Sequence, residues 1–187
     1  MRIFLAVDLN ESIRSGIAAI QGSLARDGVR GIRWVSPGGI HLTLRFCGEV
    51  STETADRLTG ALAAGVPSPP FSVGMGGLGT FPPRGAPRVL FVAAKEAAPL
   101  AKLAAWVEGR VVSAGLPREP RPFHPHLTLG RFRPGARPLG RDLLEISCAR
   151  DLGPLLVDRI VMFQSHLEPA GARYEALQSF PLAGQAD

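Results

Sequence analysis

The same four residues, His-Leu-Thr-Leu, stand at 41–44 and again at 126–129, the one long-range identity between the two halves of the chain. In an extended strand alternate side chains share a face. Leu42 and Leu44, like Leu127 and Leu129, then enter a core, while His41 and Thr43, and His126 and Thr128, point together the other way. Two imidazoles, each accompanied by a hydroxyl, suit in-line displacement at phosphorus. The attacking and leaving oxygens lie on opposite sides of the phosphorus. One histidine can therefore deprotonate a water while the other protonates the leaving oxygen. An imidazole pKa of ~6.5 lets either protonation state exist near neutrality. The threonine hydroxyls can donate to non-bridging oxygens, and a nearby guanidinium can offset their developing charge. Arg45 lies on the alternating face of His41 and Thr43, and Arg131 stands just past Gly130, where a bulge would re-aim its side chain. The candidate site is thus His41 and His126 as the catalytic pair, with Thr43, Thr128, Arg131 and Arg45 on the substrate. Because the two motifs are identical, spacing leaves open which histidine is acid and which is base. A lone His-x-Thr in a strand is usually structural; repetition at matching places points to chemistry.

The elements that must position these residues repeat as well. Arg2 to Leu9 is a β-rich apolar run, and Asn10 caps a helical pattern of Ile13, Ile17, Ile20 and Leu24 that stops at Gly28. Ser-Pro-Gly-Gly at 36–39 is a turn leading into the first motif strand. Ser51 or Thr52 opens a second helix ended by 65–67, and a Gly-rich strand runs from Phe71 to Phe81. The second half follows suit, with a strand over 89–93, a helix over 97–114 and the second motif strand. A weaker helix over 139–147, an apolar strand over 155–163 and a last strand around 174–180 complete it. Phe4 to Phe91 is 87 residues, His41 to His126 is 85 and Phe71 to Leu155 is 84. One shared offset reads as an internal duplication. The copies, about 1–82 and about 83–182, read as paired lobes of a single bilobal domain, joined by the Pro/Gly-rich connector at 81–87.

Composition excludes several classes. Hydrophobic residues make up 45% of the 187 and charged residues 20%, which suits a packed globular protein rather than a disordered one. No apolar run approaches the ~20 residues of a membrane span. The N-terminal run at 3–7 stops at Asp8, so neither a signal peptide nor an anchor is expected. Two cysteines, Cys47 and Cys148, make no disulfide framework and no Cys-x-x-Cys pair. The expectation is a cytoplasmic monomer with no cofactor and no membrane partner. Between 118 and 141 six arginines (118, 121, 131, 133, 137, 141) face one acid, Glu119, and this net +5 equals the formal charge of the whole chain. Such a stretch is either a solvated surface or an anion site, since guanidinium forks match phosphate oxygens.

Two rivals stand beside the two-histidine reading. His124 and His126, with His41 or His166, could ligate a metal, yet no cysteine or flanking carboxylate completes such a set. A non-catalytic module that binds RNA ends would use the arginines with Phe46, Phe123 or Tyr174 as stacking partners. It leaves the histidine pair unexplained, and Phe46, alternating away from His41, is expected in the core. Trp34 and Trp106 read as packing residues and Cys47 as a small buried hydrophobe. Gly74, Gly76, Gly77 and Gly79 lack the Lys-Ser/Thr of a phosphate loop and fit a kinked strand near the cleft.

The residues resemble those of the 2H phosphoesterases, and within them the LigT-like RNA 2′,3′-cyclic phosphodiesterases. The resemblance rests on both His-x-Thr-x motifs, the opening Arg2-Ile3-Phe4-Leu5-Ala6-Val7 and the Pro125 to Arg131 signature. Ser165, Gly171, Tyr174 and the closing Phe180-Pro181-Leu182 extend it over nearly the whole chain. It implies an α+β fold, bilobal and pseudo-twofold, with two antiparallel-rich sheets facing a central cleft and helices outside. The lobes need not divide at the chain midpoint, since terminal strands can cross. It implies metal-independent opening of a 2′,3′-cyclic phosphate at an RNA end, or of a nucleoside 2′,3′-cyclic phosphate, to a 2′-phosphate. His41 is then the acid toward the departing 3′-oxygen and His126 the base toward water. Some members also join tRNA halves through a 2′–5′ linkage.

Overall fold

The computed structural model describes residues 1–136, 151–168 and 171–184; the expected helix over 139–147 lies outside them. Strand β1 (Arg2–Val7) leads to Asn10, whose side-chain oxygen accepts the Ile13 N–H at 2.9 Å and starts α1 (Glu11–Arg26). That helix buries Ile13, Ile17, Ile20 and Leu24, each worth ~1.5–3 kcal/mol relative to exposure. Gly28, with φ of 83°, takes the left-handed conformation that ends it. Strand β2 (Ile32–Trp34) and a 3-10 turn (Pro37–Gly39) precede β3 (Leu42–Glu49). Ser51 accepts the Thr54 N–H at 3.2 Å to cap α2 (Thr52–Ala63). Next come β4 (Phe71–Phe81), β5 (Val89–Ala94), α3 (Ala97–Ser113) and β6 (His126–Phe132). Strands β7 (Asp151–Val157), β8 (Arg159–Glu168) and β9 (Gly171–Pro181) close the chain.

Two antiparallel sheets result, one ordered β3-β1-β8-β9 and the other β2-β6-β5-β4-β7. The strands that share the repeat offset take matching places, β1 beside β3 in one sheet and β5 beside β6 in the other. The outer strands cross. β4, from the first copy, pairs with β5, while β8 pairs with β1. The apolar run expected as one strand over 155–163 is instead divided at Asp158, with β7 going to β4 and β8 to β1. Leu155 and Val157 on one side, and Ile160, Val161 and Met162 on the other, are all buried, so the buried hydrophobic pattern is continuous across the break. Only Asp158 marks it, its carboxylate engaged by the Arg159 guanidinium at 2.8–2.9 Å.

Ile3, Leu5 and Val7 of β1 join the core with the α1 stripe and the four motif leucines. Phe4 and Ala6, buried but outside that cluster, project from the opposite face of the strand. Helix α1 touches β7 and the 3-10 turn, α3 touches β3, β4 and α2, and the two sheets meet where β3 approaches β6. Among the described residues no helix is long and apolar enough to cross a membrane.

Candidate active site

His41 sits one residue ahead of β3, at the exit of the 3-10 turn. Arg14 of α1 ties that turn down, donating to the carbonyls of Pro37 (2.7 Å), Leu9 (3.2 Å) and Ile40 (3.4 Å) while pairing with Asp8. The imidazole stacks on Phe4 with centroids 4.5 Å apart, lies 5.9 Å from Phe163, and meets Tyr174 edge-on at 4.9 Å. This aromatic burial pushes the His41 pKa down to about 4. Asp8 and a hydrogen bond to the Gly39 backbone act against the shift, and Arg14 reinforces it.

His126 opens β6. Its Nδ1–H donates to the His124 carbonyl at 2.6 Å, which leaves Nε2 as the acceptor nitrogen. Phe81 lies edge-on at 5.1 Å and Phe91 at 5.3 Å. Burial lowers this pKa too; the His124 carbonyl pulls it back up, while the His124 and Arg131 charges push it further down. Phe4 and Phe91, which stand at the repeat offset of 87 residues, each lie against the motif histidine of the same half of the chain. Phe91 needs room for this. A Cβ on Gly79, its cross-strand partner, would come within 2.4 Å of the Phe91 ring. We expect Gly79→Ala to displace the ring from His126 and lower turnover about ten- to a hundredfold. Steady-state kinetics on the soluble variant would check this, and unchanged turnover would refute it.

The two motif strands differ in how they continue. On β6, Ala93 faces His126 and Phe91 faces Thr128, then Leu90 faces Gly130 and Val89 faces Arg131, so Leu129 is an extra residue. This is the bulge that Gly130 foreshadowed, and it returns Arg131 to the face of His126 and Thr128. Arg131 is exposed, and among the described residues no carboxylate pairs with it. On β3, Ala6 faces Thr43 but Leu5 faces Arg45 and Phe4 faces Phe46, so Leu44 is extra. Here the bulge reverses two expectations. Arg45 turns off the face of Thr43, its Nε donating to Glu108 at 2.6 Å, its Nη2 to the Pro117 carbonyl at 2.6 Å, and its Nη1 to the Phe46 carbonyl. It braces β3 against α3 with its guanidinium engaged, and lines the same cavity as Thr43 and His126. Phe46, expected in the core, is 53% exposed with its ring 5.6 Å from Phe4.

This cavity, of about 630 Å³, lies between β3, α3 and the segment 119–126; its lining includes Thr43, Arg45, Phe46, Glu108, Phe123 and His126, but not His41, Thr128 or Arg131. It therefore brings a hydroxyl of the first motif and the imidazole of the second into one space. In the basic stretch Arg121 is taken up by Glu119 at 2.7 Å, a contact that holds the Glu119 carboxyl down to about 2. Arg137 and Arg141 lie outside the described residues. His166 contacts Glu175 at 3.0 Å, and among the described residues no three His, Cys, Asp or Glu side chains gather as ligands. Cys47 is half-buried, and burial raises its thiol pKa to about 11. The aromatic surroundings of both histidines were not evident in the sequence, though the matched places of Phe4 and Phe91 were a usable signal.

The model of the 2′-5′ RNA ligase superfamily matches residues 11–168. The chain belongs to that superfamily. Within it, an RNA 2′,3′-cyclic phosphodiesterase of Archaeoglobus fulgidus is 35% identical over 180 residues, spanning 96% of this chain and 99% of the relative. The crystal structure of TT0787 of Thermus thermophilus superposes with a TM-score of 0.83 at 30% identity, covering 99% of this chain and 100% of that one. E. coli LigT complexed with 3′-AMP gives 0.76 at 25% identity, with 97% of each chain covered. The α+β fold with two antiparallel sheets is thus the superfamily's own.

Proposed function

We propose that this 2′-5′ RNA ligase superfamily member hydrolyses the 2′,3′-cyclic phosphate at an RNA end to a 2′-phosphate, without a metal. The observation that carries the reading is the single cavity shared by Thr43 of one motif and His126 of the other. The names of the relatives support the substrate class. His126 Nε2 accepts a proton from water as the water oxygen bonds to phosphorus; the bond from phosphorus to the 3′-oxygen breaks, and that oxygen takes a proton from His41. The anionic phosphate entering beside His41 favours its imidazolium form. Thr43 and Thr128 donate to the non-bridging oxygens, and Arg131 offsets their charge. With an RNA 5′-hydroxyl in place of water, the same displacement yields a 2′–5′ phosphodiester.

The test is incubation with a nucleoside 2′,3′-cyclic phosphate, with and without EDTA, followed by identification of the monophosphate. A 2′-monophosphate formed at equal rate in both arms is expected. A 3′-monophosphate would reverse the polarity, and loss of turnover with EDTA would overturn the metal-free reading.

A further inference from the structure

Among the described residues one polar side chain is buried, Gln21, at 9% exposure. It sits on the apolar stripe of α1, four residues after Ile17 and three before Leu24. An amide there costs stability unless its hydrogens find acceptors. Both do. Nε2 donates to the Val35 carbonyl at 2.7 Å and to the Leu129 carbonyl at 3.0 Å.

Leu129 is the extra residue of the β6 bulge, and its carbonyl also accepts the Val35 N–H at 2.9 Å. A bulge leaves local backbone groups outside the regular ladder, so something must hold them. Here a helix side chain supplies the second donor. Gly130 completes the arrangement, because a Cβ there would come within 2.5 Å of Ile32 and 3.1 Å of the Arg33 carbonyl. The direction of Arg131 depends on this one residue of slip. A regular strand would put 126, 128 and 130 on the cleft face and turn 131 away.

We propose that Gln21 is a positioning residue, which locks the Leu129 bulge and so holds Arg131 toward the substrate phosphate. This rests on the phosphodiesterase reading above. It assigns a role in catalysis to an uncharged residue on the far side of β6, with no contact to the reacting atoms.

The experiment is a double-mutant cycle on a nucleoside 2′,3′-cyclic phosphate, with kcat and KM measured separately. Gln21→Leu removes both donors; Gln21→Met does the same with a flexible chain of similar volume and serves if the leucine variant fails to fold. Either is expected to lower kcat/KM by about tenfold or more in the Arg131 protein, and by less than about twofold in an Arg131→Ala background. A purely structural glutamine would act by the same factor in both backgrounds, and that result would overturn the inference while leaving the reaction intact. If Arg131→Ala alone has no effect, the arginine leaves the reaction scheme and the inference goes with it. Thermal stability alone does not distinguish these outcomes; the coupling in the cycle does.

Discussion

Alanine in place of either motif histidine lowers turnover of a nucleoside 2′,3′-cyclic phosphate by about 10²–10⁴-fold, the range that one general acid or base supplies. Each ring faces different work. His126 presents Nε2 as an acceptor because its other nitrogen is committed to the His124 carbonyl. His41 is embedded among Phe4, Phe163 and Tyr174, where burial keeps it neutral near pH 7. The double variant should lose less than the product of the two single losses, because base and acid act in one displacement. The measurement is kcat for the two single variants and the double variant, each checked for native circular dichroism. Wild-type turnover in both single variants would end the acid–base account.

Acidification from pH 7 to pH 4 should cost the fold about 3 kcal/mol through His41 alone. The unfolded imidazole titrates near its ordinary 6.5, the folded one near 4. Between those values the unfolded chain binds the extra proton and the folded chain does not. The stability is therefore fully present above 6.5 and is lost as pH falls through 4. His126, lowered for the same main reason, acts in the same direction. Urea unfolding of wild type and His41→Gln at both pH values checks this. The variant should show the shallower decline, and parallel declines would refute it.

What could be seen in the sequence was whatever a single strand or helix decides for itself. The Asn10 cap, the α1 stripe and the start of α2 at Ser51 or Thr52 all depend on local spacing; the first two appear where that spacing put them, and Ser51 is the cap of the third. The β6 bulge was legible because Gly130 is an unusual residue for a strand interior. Its counterpart on β3 was not, since Leu44 looks like any other alternating leucine. Its slip exists only in the pairing with Leu5 and Ala6. Arg45 and Phe46 exchanged their expected faces for that reason. The division at Asp158 escaped in the same way: strand composition records burial, not which sheet provides it.

The crossing of β4 and β8 between the sheets also bears on how the molecule comes apart. A cut in the connector between β4 and β5 would leave the N-terminal fragment without the neighbours of β1 on one side, and would strand β4 away from both its partners. Neither fragment would own a finished hydrophobic interior. Each half of the chain therefore depends on the other for its completion, and the whole should melt in one step.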